Sequence, residues 1–186
     1  FGAQHPTAQW WVPMMRLPFV FKTTPETIPA FRLSPLPSKP VRKAGLHVGY
    51  VRSGNPLFMG DADRSCPAEQ FAPLLEPHPN VYFHDLSEKA DKRRGFKDFA
   101  DTAALVSQLD LVVTVDTSIG HLAGALHVPT MLMPMTSLHW LWGMPDGATD
   151  RQSPWYPSTV LFRRSHVDRW DEPIAKIRAK ILHGLT

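Results

Sequence analysis

Residues 109–134 read LDLVVTVDTSIGHLAGALHVPTMLMP, and this stretch decides the fold class. Its first part, 109–116, is rich in β-branched residues, which is typical of a buried strand. Residues 119–126 have small and apolar side chains that suit a helix packed closely on a sheet, and residues 129–134 suit another strand. A strand, a helix and a further strand in this order predict a β-α-β unit with parallel strands.

The same alternation of strand and helix patterns extends to both sides of this unit. We therefore predict an α/β fold with a Rossmann-like, mostly parallel sheet of about five strands and helices on both faces. The predicted strands are residues 45–51, 80–85, 109–116, 129–134 and 159–163, and the predicted helices are residues 68–75, 99–108, 119–126 and 172–182.

The length of 186 residues suits one well-buried domain and is short for two full α/β domains. Prolines crowd residues 25–40, which we interpret as a linker. Before it, residues 10–21 form an aromatic and aliphatic segment that needs a covering surface, either from the following domain or from a missing one. Because the chain does not begin with Met, we expect it to be a piece of a longer protein.

Composition argues against several classes of protein. The net charge is only +3, and the two basic clusters, 92–94 and 163–164, are interpreted as solvated turns or strand ends, so nucleic acid binding is not indicated. No apolar run is long enough for a transmembrane segment. The single cysteine, Cys66, excludes an intrachain disulfide and favours a reducing compartment, so we expect a cytoplasmic protein. We interpret Cys66 itself as structural.

The loop after the strand at 109–116 is the first candidate site, because ligands of an open parallel sheet bind beyond the carboxyl ends of its strands. Thr117 or Ser118 can cap the following helix and aim its free amides and positive dipole end at a phosphate. His121 can donate to the same anion, and Gly120 and Gly124 allow close approach of helix, sheet and ligand. Asp116 is expected to order the loop by accepting backbone N–H bonds. An ordinary helix start with a structural histidine remains the alternative.

A second candidate loop, RSGNP at residues 52–56, follows the first predicted strand. It carries Arg52, Ser53 and Asn55, and Arg64 comes shortly after it. Guanidinium groups suit diphosphate oxygens, although a surface salt bridge is an equal alternative for each arginine. We expect the loop after Asp85 to lie near the base or ribose of a nucleotide.

Other site types receive less support from the sequence. It lacks G-x-G-x-x-G and the P-loop motif, and its nine histidines are dispersed without the spacing of a metal site. Trp140, Trp142 and Trp155 could form a wall for a base or sugar ring, but core packing or docking of a neighbouring domain is the favoured alternative.

Residues 115–129, VDTSIGHLAGALHVP, resemble the V-D-T-x-x-x-H-L-A-G-A-L-G-x-P signature of bacterial glycosyltransferases related to lipopolysaccharide heptosyltransferases. The resemblance is closest to the branch fused behind tetratricopeptide repeats, which is similar to protein O-GlcNAc transferases. Further segments that resemble this branch, in order, are 23–29 (TTPETIP), 54–65 (GNPLFMGDADRS), 98–105 (DFADTAAL) and 150–157 (DRQSPWYP).

This resemblance implies a two-domain GT-B glycosyltransferase. Residues 45–186 would be its C-terminal, nucleotide-sugar-binding domain, and residues 1–44 the end of a missing N-terminal domain plus a proline-rich linker. It also implies inverting transfer from a nucleoside diphosphate sugar, with no cofactor and no metal. The loop at 117–121 would hold the diphosphate. The catalytic base would lie in the missing N-terminal half, and the acceptor would be a glycan, a lipid-linked molecule or a protein.

Four positions depart from the pattern of this branch. Arg52 replaces a Trp, Phe58 a His, Gly60 an Asn, and His127 a Gly. The loss of a polar side chain at position 58 leaves open a non-catalytic binding or scaffold module that kept the fold. A sugar-nucleotide epimerase of the GT-B type is a further alternative.

Overall fold

The computed structural model describes residues 10–29, 32–34, 44–136, 142 and 151–183. The strands are β1 (Leu46–Val51), β2 (Val81–Asp85), β3 (Leu111–Val115), β4 (Thr130–Met133), β5 (Arg151–Gln152) and β6 (Thr159–Leu161). The α-helices are α1 (Leu17–Val20), α2 (Asp61–Arg64), α3 (Ala68–Phe71), α4 (Glu88–Arg94), α5 (Phe99–Val106), α6 (Ser118–Ala125) and α7 (Asp171–His183). Short 3₁₀ helices cover Met14–Arg16, Pro25–Thr27 and Ala72–Leu75.

The strands form one sheet in the order β2-β1-β3-β4-β6-β5. All neighbouring pairs are parallel except β5 with β6, which is antiparallel. The predicted Rossmann-like fold is therefore confirmed, with five parallel strands and one short antiparallel edge strand. The two-residue β5 is an addition to the prediction.

Alternate side chains of the strands point into two separate cores. On one face, Val48, Val113 and Met133 pack with residues of α3 and α7. On the other face, Val51 and Val112 pack with residues of α5 and α6. This arrangement confirms helices on both faces of the sheet and explains the near-continuous apolar run of β3, which is buried from both sides.

Two basic clusters differ from the sequence-based interpretation. Lys92, Arg93 and Arg94 lie in the last turn of α4 instead of a solvated turn, because the Ser87 hydroxyl caps this helix and Gly95 ends it. Arg164 is buried instead of solvated, because it pairs with Asp63.

The segment before the sheet buries little of its own aromatic surface. Trp10, Trp11, Phe19 and Phe21 are each at least 74% exposed. The amide of Leu33 donates a 2.8 Å hydrogen bond to the carbonyl of Ala125, which ties this segment to the C-terminal end of α6. None of the helices in the described ranges is both long and apolar enough to cross a membrane.

Candidate functional site

The crevice at the carboxyl ends of β1 and β3 is the topological switch point of the sheet. From β1 the chain passes to β2 on one side and then returns to β3 on the other side. Val51 lies opposite Thr114, so the loops that follow these strands leave the sheet side by side. Ligands of open α/β sheets bind at such a point. The structure thus brings both candidate loops, 52–56 and 116–118, to one edge.

The start of α6 has open backbone donors. Thr117 occupies the N-cap position with extended backbone angles, but its side chain does not cap the helix. Its hydroxyl lies 3.1 Å from the hydroxyl of Thr114 instead. Among the described residues, nothing accepts a hydrogen bond from the amides of Ser118 and Ile119. The predicted side-chain cap is therefore wrong, and the helix start keeps the unpaired N–H groups that an anion can use.

His121 lies one turn into α6 among aromatic rings. Its Nδ1 atom lies 3.1 Å from the hydroxyl of Tyr156. Its ring stacks on that of Trp142 with centroids 4.9 Å apart and planes 18° apart. Because residues three apart share a helix face, His121 lies on the same side of α6 as Ser118. The contacts with Tyr156 and Trp142 hold its imidazole there.

Gly120 has the close approach to the sheet that the sequence predicts, whereas Asp116 differs from its prediction. A Cβ atom at Gly120 would lie 2.8 Å from Leu132 and 3.2 Å from Thr114, so this glycine allows α6 to approach the sheet. Its backbone is buried. Asp116 is half-buried, and it accepts no backbone N–H bond from the part of the chain that the structure describes. The expected loop-ordering role of its carboxylate is therefore not observed.

The loop after β1 is held by reciprocal bonds to the segment at Cys66. Arg52 donates a 3.1 Å bond from its guanidinium to the carbonyl of Cys66, whose amide donates to the carbonyl of Arg52 at 2.7 Å. Ser53 is half-buried beside it. Asn55 is exposed, and its side-chain oxygen accepts the amide of Leu57 at 3.0 Å. Arg52 and Ser53 are thus the side chains of this loop closest to the strand end.

Arg64 is engaged within its own loop. Its Nε and Nη2 atoms donate to one carboxylate oxygen of Asp61 at 3.2 and 2.9 Å. Nη2 also donates to the carbonyl of Asn55 at 3.1 Å, and the guanidinium lies 4.5 Å from the ring centre of Phe58. A salt-bridge role therefore accounts for the geometry of Arg64.

A cavity of about 610 Å³ lies along the outer side of α6. Its polar side chains are those of Ser118, His121 and Tyr156, and apolar groups form the rest of its wall. Its apolar lining includes Ile28, Pro29 and Leu33 of the segment before β1, together with Phe99 and Trp155.

The tryptophans divide between core and cavity. Trp142 is buried with Leu132 and Leu161, so core packing accounts for most of its surface, although it also contacts His121. Trp155 lines the cavity. Trp140 lies outside the described residues.

Two features were missed by the sequence analysis. Tyr156 was quoted only as part of a motif, although it contacts His121 directly. Asp63 accepts bonds from the amide and hydroxyl of Thr136 at 3.1 and 2.7 Å and pairs with Arg164 at 2.9 Å. This cluster joins the loop after β1 to the loop after β4, and no local pattern signals it.

Three comparisons with known proteins bear on this site. Residues 95–133 match the sequence model of glycosyltransferase family 9 (heptosyltransferase). The structure is similar to E. coli heptosyltransferase WaaC with ADP, with a TM-score of 0.50 and 16% identity over 77% of this chain. The chain spans 45% of the length of that structure. At this level of identity the likeness shows the fold. No curated protein matches the sequence.

Proposed function

We propose that this chain is the donor-binding half of a glycosyltransferase that uses a nucleoside diphosphate sugar. One observation supports this most strongly: the segment that matches the glycosyltransferase family 9 model comprises α5, β3, α6 and β4. That segment therefore supplies the open amides of Ser118 and Ile119 at the switch point of the sheet. The resemblance of the flanking motifs extends the proposal to residues 45–186.

In this proposal the diphosphate binds at the start of α6. The amides of Ser118 and Ile119 and the positive end of the helix dipole stabilise its negative charge. Arg52, from the loop after β1, and His121, from α6, add donors to the diphosphate in this proposal. Gly120 is left out of the ligand set, because it packs on the sheet, and Arg64 is left out, because Asp61 engages it.

The same groups would assist the chemical step. Charge builds up on the departing nucleoside diphosphate as the acceptor hydroxyl attacks the anomeric carbon, and preorganised amide donors stabilise that charge. Direct attack inverts the anomeric configuration. The general base belongs to an N-terminal half that is followed by the linker region within residues 1–44. The proposed reaction needs no metal ion, because the amide donors and the helix dipole take over the stabilisation of the leaving group.

Calorimetric titration with UDP, GDP, ADP and CMP, each in the presence of EDTA, tests the proposal. We expect saturable binding of one nucleotide, because the site needs no metal. His121→Ala should weaken that binding about ten- to a hundredfold, in line with the loss of one hydrogen bond to a charged group. His166→Ala, at an exposed position far along the chain, is the matched control. Binding that is equal in the His121→Ala variant and the parent would contradict the site.

A non-catalytic module that binds the nucleotide sugar is the second candidate. The observation that favours it is Phe58, whose ring covers the guanidinium of Arg64 at a position where the related branch has a histidine. A transfer assay on a protein that joins this chain to its N-terminal half separates the two. Release of free nucleoside diphosphate that depends on an acceptor supports the enzyme, and nucleotide binding without release supports the module.

A further inference from the structure

The side chain of Tyr156 packs directly on α6. A Cβ atom at Gly124 would lie only 2.4 Å from the Tyr156 ring, so the ring can sit there because position 124 is a glycine. The ring centres of Tyr156 and His121 are 5.7 Å apart in an edge-to-face arrangement. On its other side the imidazole stacks on Trp142. The imidazole is therefore held in one orientation, with Nδ1 toward the Tyr156 hydroxyl.

From this geometry we propose that Tyr156 fixes the tautomer of His121, so that Nδ1 accepts a hydrogen bond and Nε2 carries the ring hydrogen. Tyr156 is then a positioning residue of the donor site. The effect of Tyr156 on nucleotide binding rests on the proposed function. The tautomer of His121, in contrast, is a property of this chain without any ligand.

The direction of the hydrogen bond follows from the chemistry of the two groups. Burial raises the pKa of the Tyr156 hydroxyl, so the phenol stays protonated at neutral pH. Among the described residues, His121 is the hydrogen-bond partner of this hydroxyl. A phenol oxygen is a weak acceptor because its lone pairs are delocalised into the ring, whereas an unprotonated imidazole nitrogen is a strong one. The phenol therefore donates to Nδ1.

The tautomer matters for an anionic ligand. A neutral imidazole has one donor and one acceptor nitrogen, and the bond made at one nitrogen decides the state of the other. With Nδ1 occupied as an acceptor, Nε2 carries the ring hydrogen and can act only as a donor. A phosphate oxygen at the start of α6 is stabilised by an N–H donor and repelled by a lone pair. Tyr156 thus orients His121, as the hydrogen-bond partners of metal-bound histidines orient those histidines.

Nitrogen-15 NMR of the 186-residue chain at pH 8 tests the tautomer, since histidine is then neutral at its ordinary pKa. The His121 signals are assigned by their loss in His121→Ala. We expect the Nε2–H form in the parent chain and a mixture of both forms in Tyr156→Phe, which keeps the ring on Gly124. Tyr82→Phe is the matched control, because Tyr82 lies in the edge strand β2 and its ring stacks on His47. This control should leave the His121 signals unchanged.

Two outcomes overturn the inference: the Nδ1–H form in the parent chain, or an Nε2–H form that Tyr156→Phe does not change.

Titration with ADP and UDP is the second experiment. We expect Tyr156→Phe to weaken binding about three- to tenfold, with Tyr82→Phe equal to the parent. Absence of binding in the parent itself overturns the proposed function, and the NMR result still decides the tautomer.

Discussion

At the residue scale, the pair formed by Asp63 and Arg164 is unusual because the arginine side chain has no exposed surface. Its guanidinium lies 3.6 Å from the ring centre of Trp170 and 2.9 Å from the Asp63 carboxylate. Asp63 also accepts two bonds from Thr136. A buried guanidinium that loses its partner keeps the cost of its desolvation, so this pair should matter more for folding than an exposed one.

We predict that Asp63→Ala lowers the free energy of unfolding by about 3–5 kcal/mol, because it leaves Arg164 charged and unpaired. Arg164→Met should cost clearly less, because Asp63 is partly exposed and keeps its bonds to Thr136. Glu88→Ala, which removes an exposed ion pair with Lys92, is the control and should have little effect. Urea unfolding monitored by tryptophan fluorescence measures all three. A larger loss in Arg164→Met than in Asp63→Ala would contradict this account.

Cys66 is the second residue whose burial leads to a testable prediction. Burial raises the pKa of its thiol to about 12, and the side chain has no exposed surface. The reactive thiolate is therefore scarce and inaccessible in the folded protein. We predict that an aromatic disulfide reagent at pH 8 modifies Cys66 only as fast as the segment around Cys66 opens. In about 8 M urea, which unfolds most domains, the modification should be immediate. Fast stoichiometric reaction without urea would show that the reciprocal bonds to Arg52 open readily.

At the scale of elements, the long apolar strands and helices follow from their own sequence, and the short or irregular ones do not. The predicted strand at 109–116 corresponds to β3 because burial on both faces demands a continuous β-branched run. The predicted helix at 68–75 is instead divided, with a 3₁₀ turn over Ala72–Leu75. Proline at position 73 lacks the N–H that an α-helix would use. The two residues of β5 are too few to show any periodicity.

Helix α4 was missed although its end signals are present in the sequence. Ser87 begins it, and Gly95 ends it with a φ angle of +75°. The three consecutive basic residues at its end were interpreted as a solvated turn. Basic side chains in the last turn are in fact favourable, because they face the negative end of the helix dipole.

Gly95 allows a test of this helix end. A Cβ atom added there would meet nothing within 4 Å, so a substitution changes only the backbone preference. We predict that Gly95→Ala lowers the free energy of unfolding by about 1 kcal/mol, because alanine disfavours the left-handed region. Gly95→Asn should cost less, because asparagine tolerates that region. Thermal unfolding compares the two variants. Equal losses for alanine and asparagine would exclude the left-handed backbone as the cause.

At the scale of the whole molecule, the topology places the site and long-range contacts complete it. The loops after β1 and β3 could be predicted to meet because parallel strands end at one edge. The partners of His121 and Asp63 could not be predicted, because they are distant in the chain. Tyr156 is 35 residues from His121, and Arg164 is 101 residues from Asp63. Arg64 and Thr117 are different, because their partners Asp61 and Thr114 are only three residues away in the chain. A salt bridge of Arg64 was one of the two alternatives that the sequence offered.

The stability of the whole molecule should also depend on a histidine pair at the edge of the sheet. His47 Nδ1 and His84 Nε2 are 2.9 Å apart, between β1 and the edge strand β2. Burial, then the nearby His47 ring and Arg94, lower the pKa of His84 below its ordinary value of 6.5. Two protonated rings at this distance would repel, and the contact needs at least one neutral ring.

We predict that this pair makes the protein less stable in mild acid. Because the pKa of His84 is lower in the folded than in the unfolded chain, the unfolded chain binds its proton first as the pH falls. The stabilisation is complete above about pH 6.5, the ordinary histidine pKa, and is lost as the pH falls from there through the lower folded pKa. Urea unfolding of the parent and of His84→Gln between about pH 8 and pH 5 measures the difference. The parent should lose more free energy of unfolding over this window than His84→Gln. His166→Gln, at an exposed position, should follow the parent, and parallel curves for the parent and His84→Gln would assign the acid sensitivity to other groups.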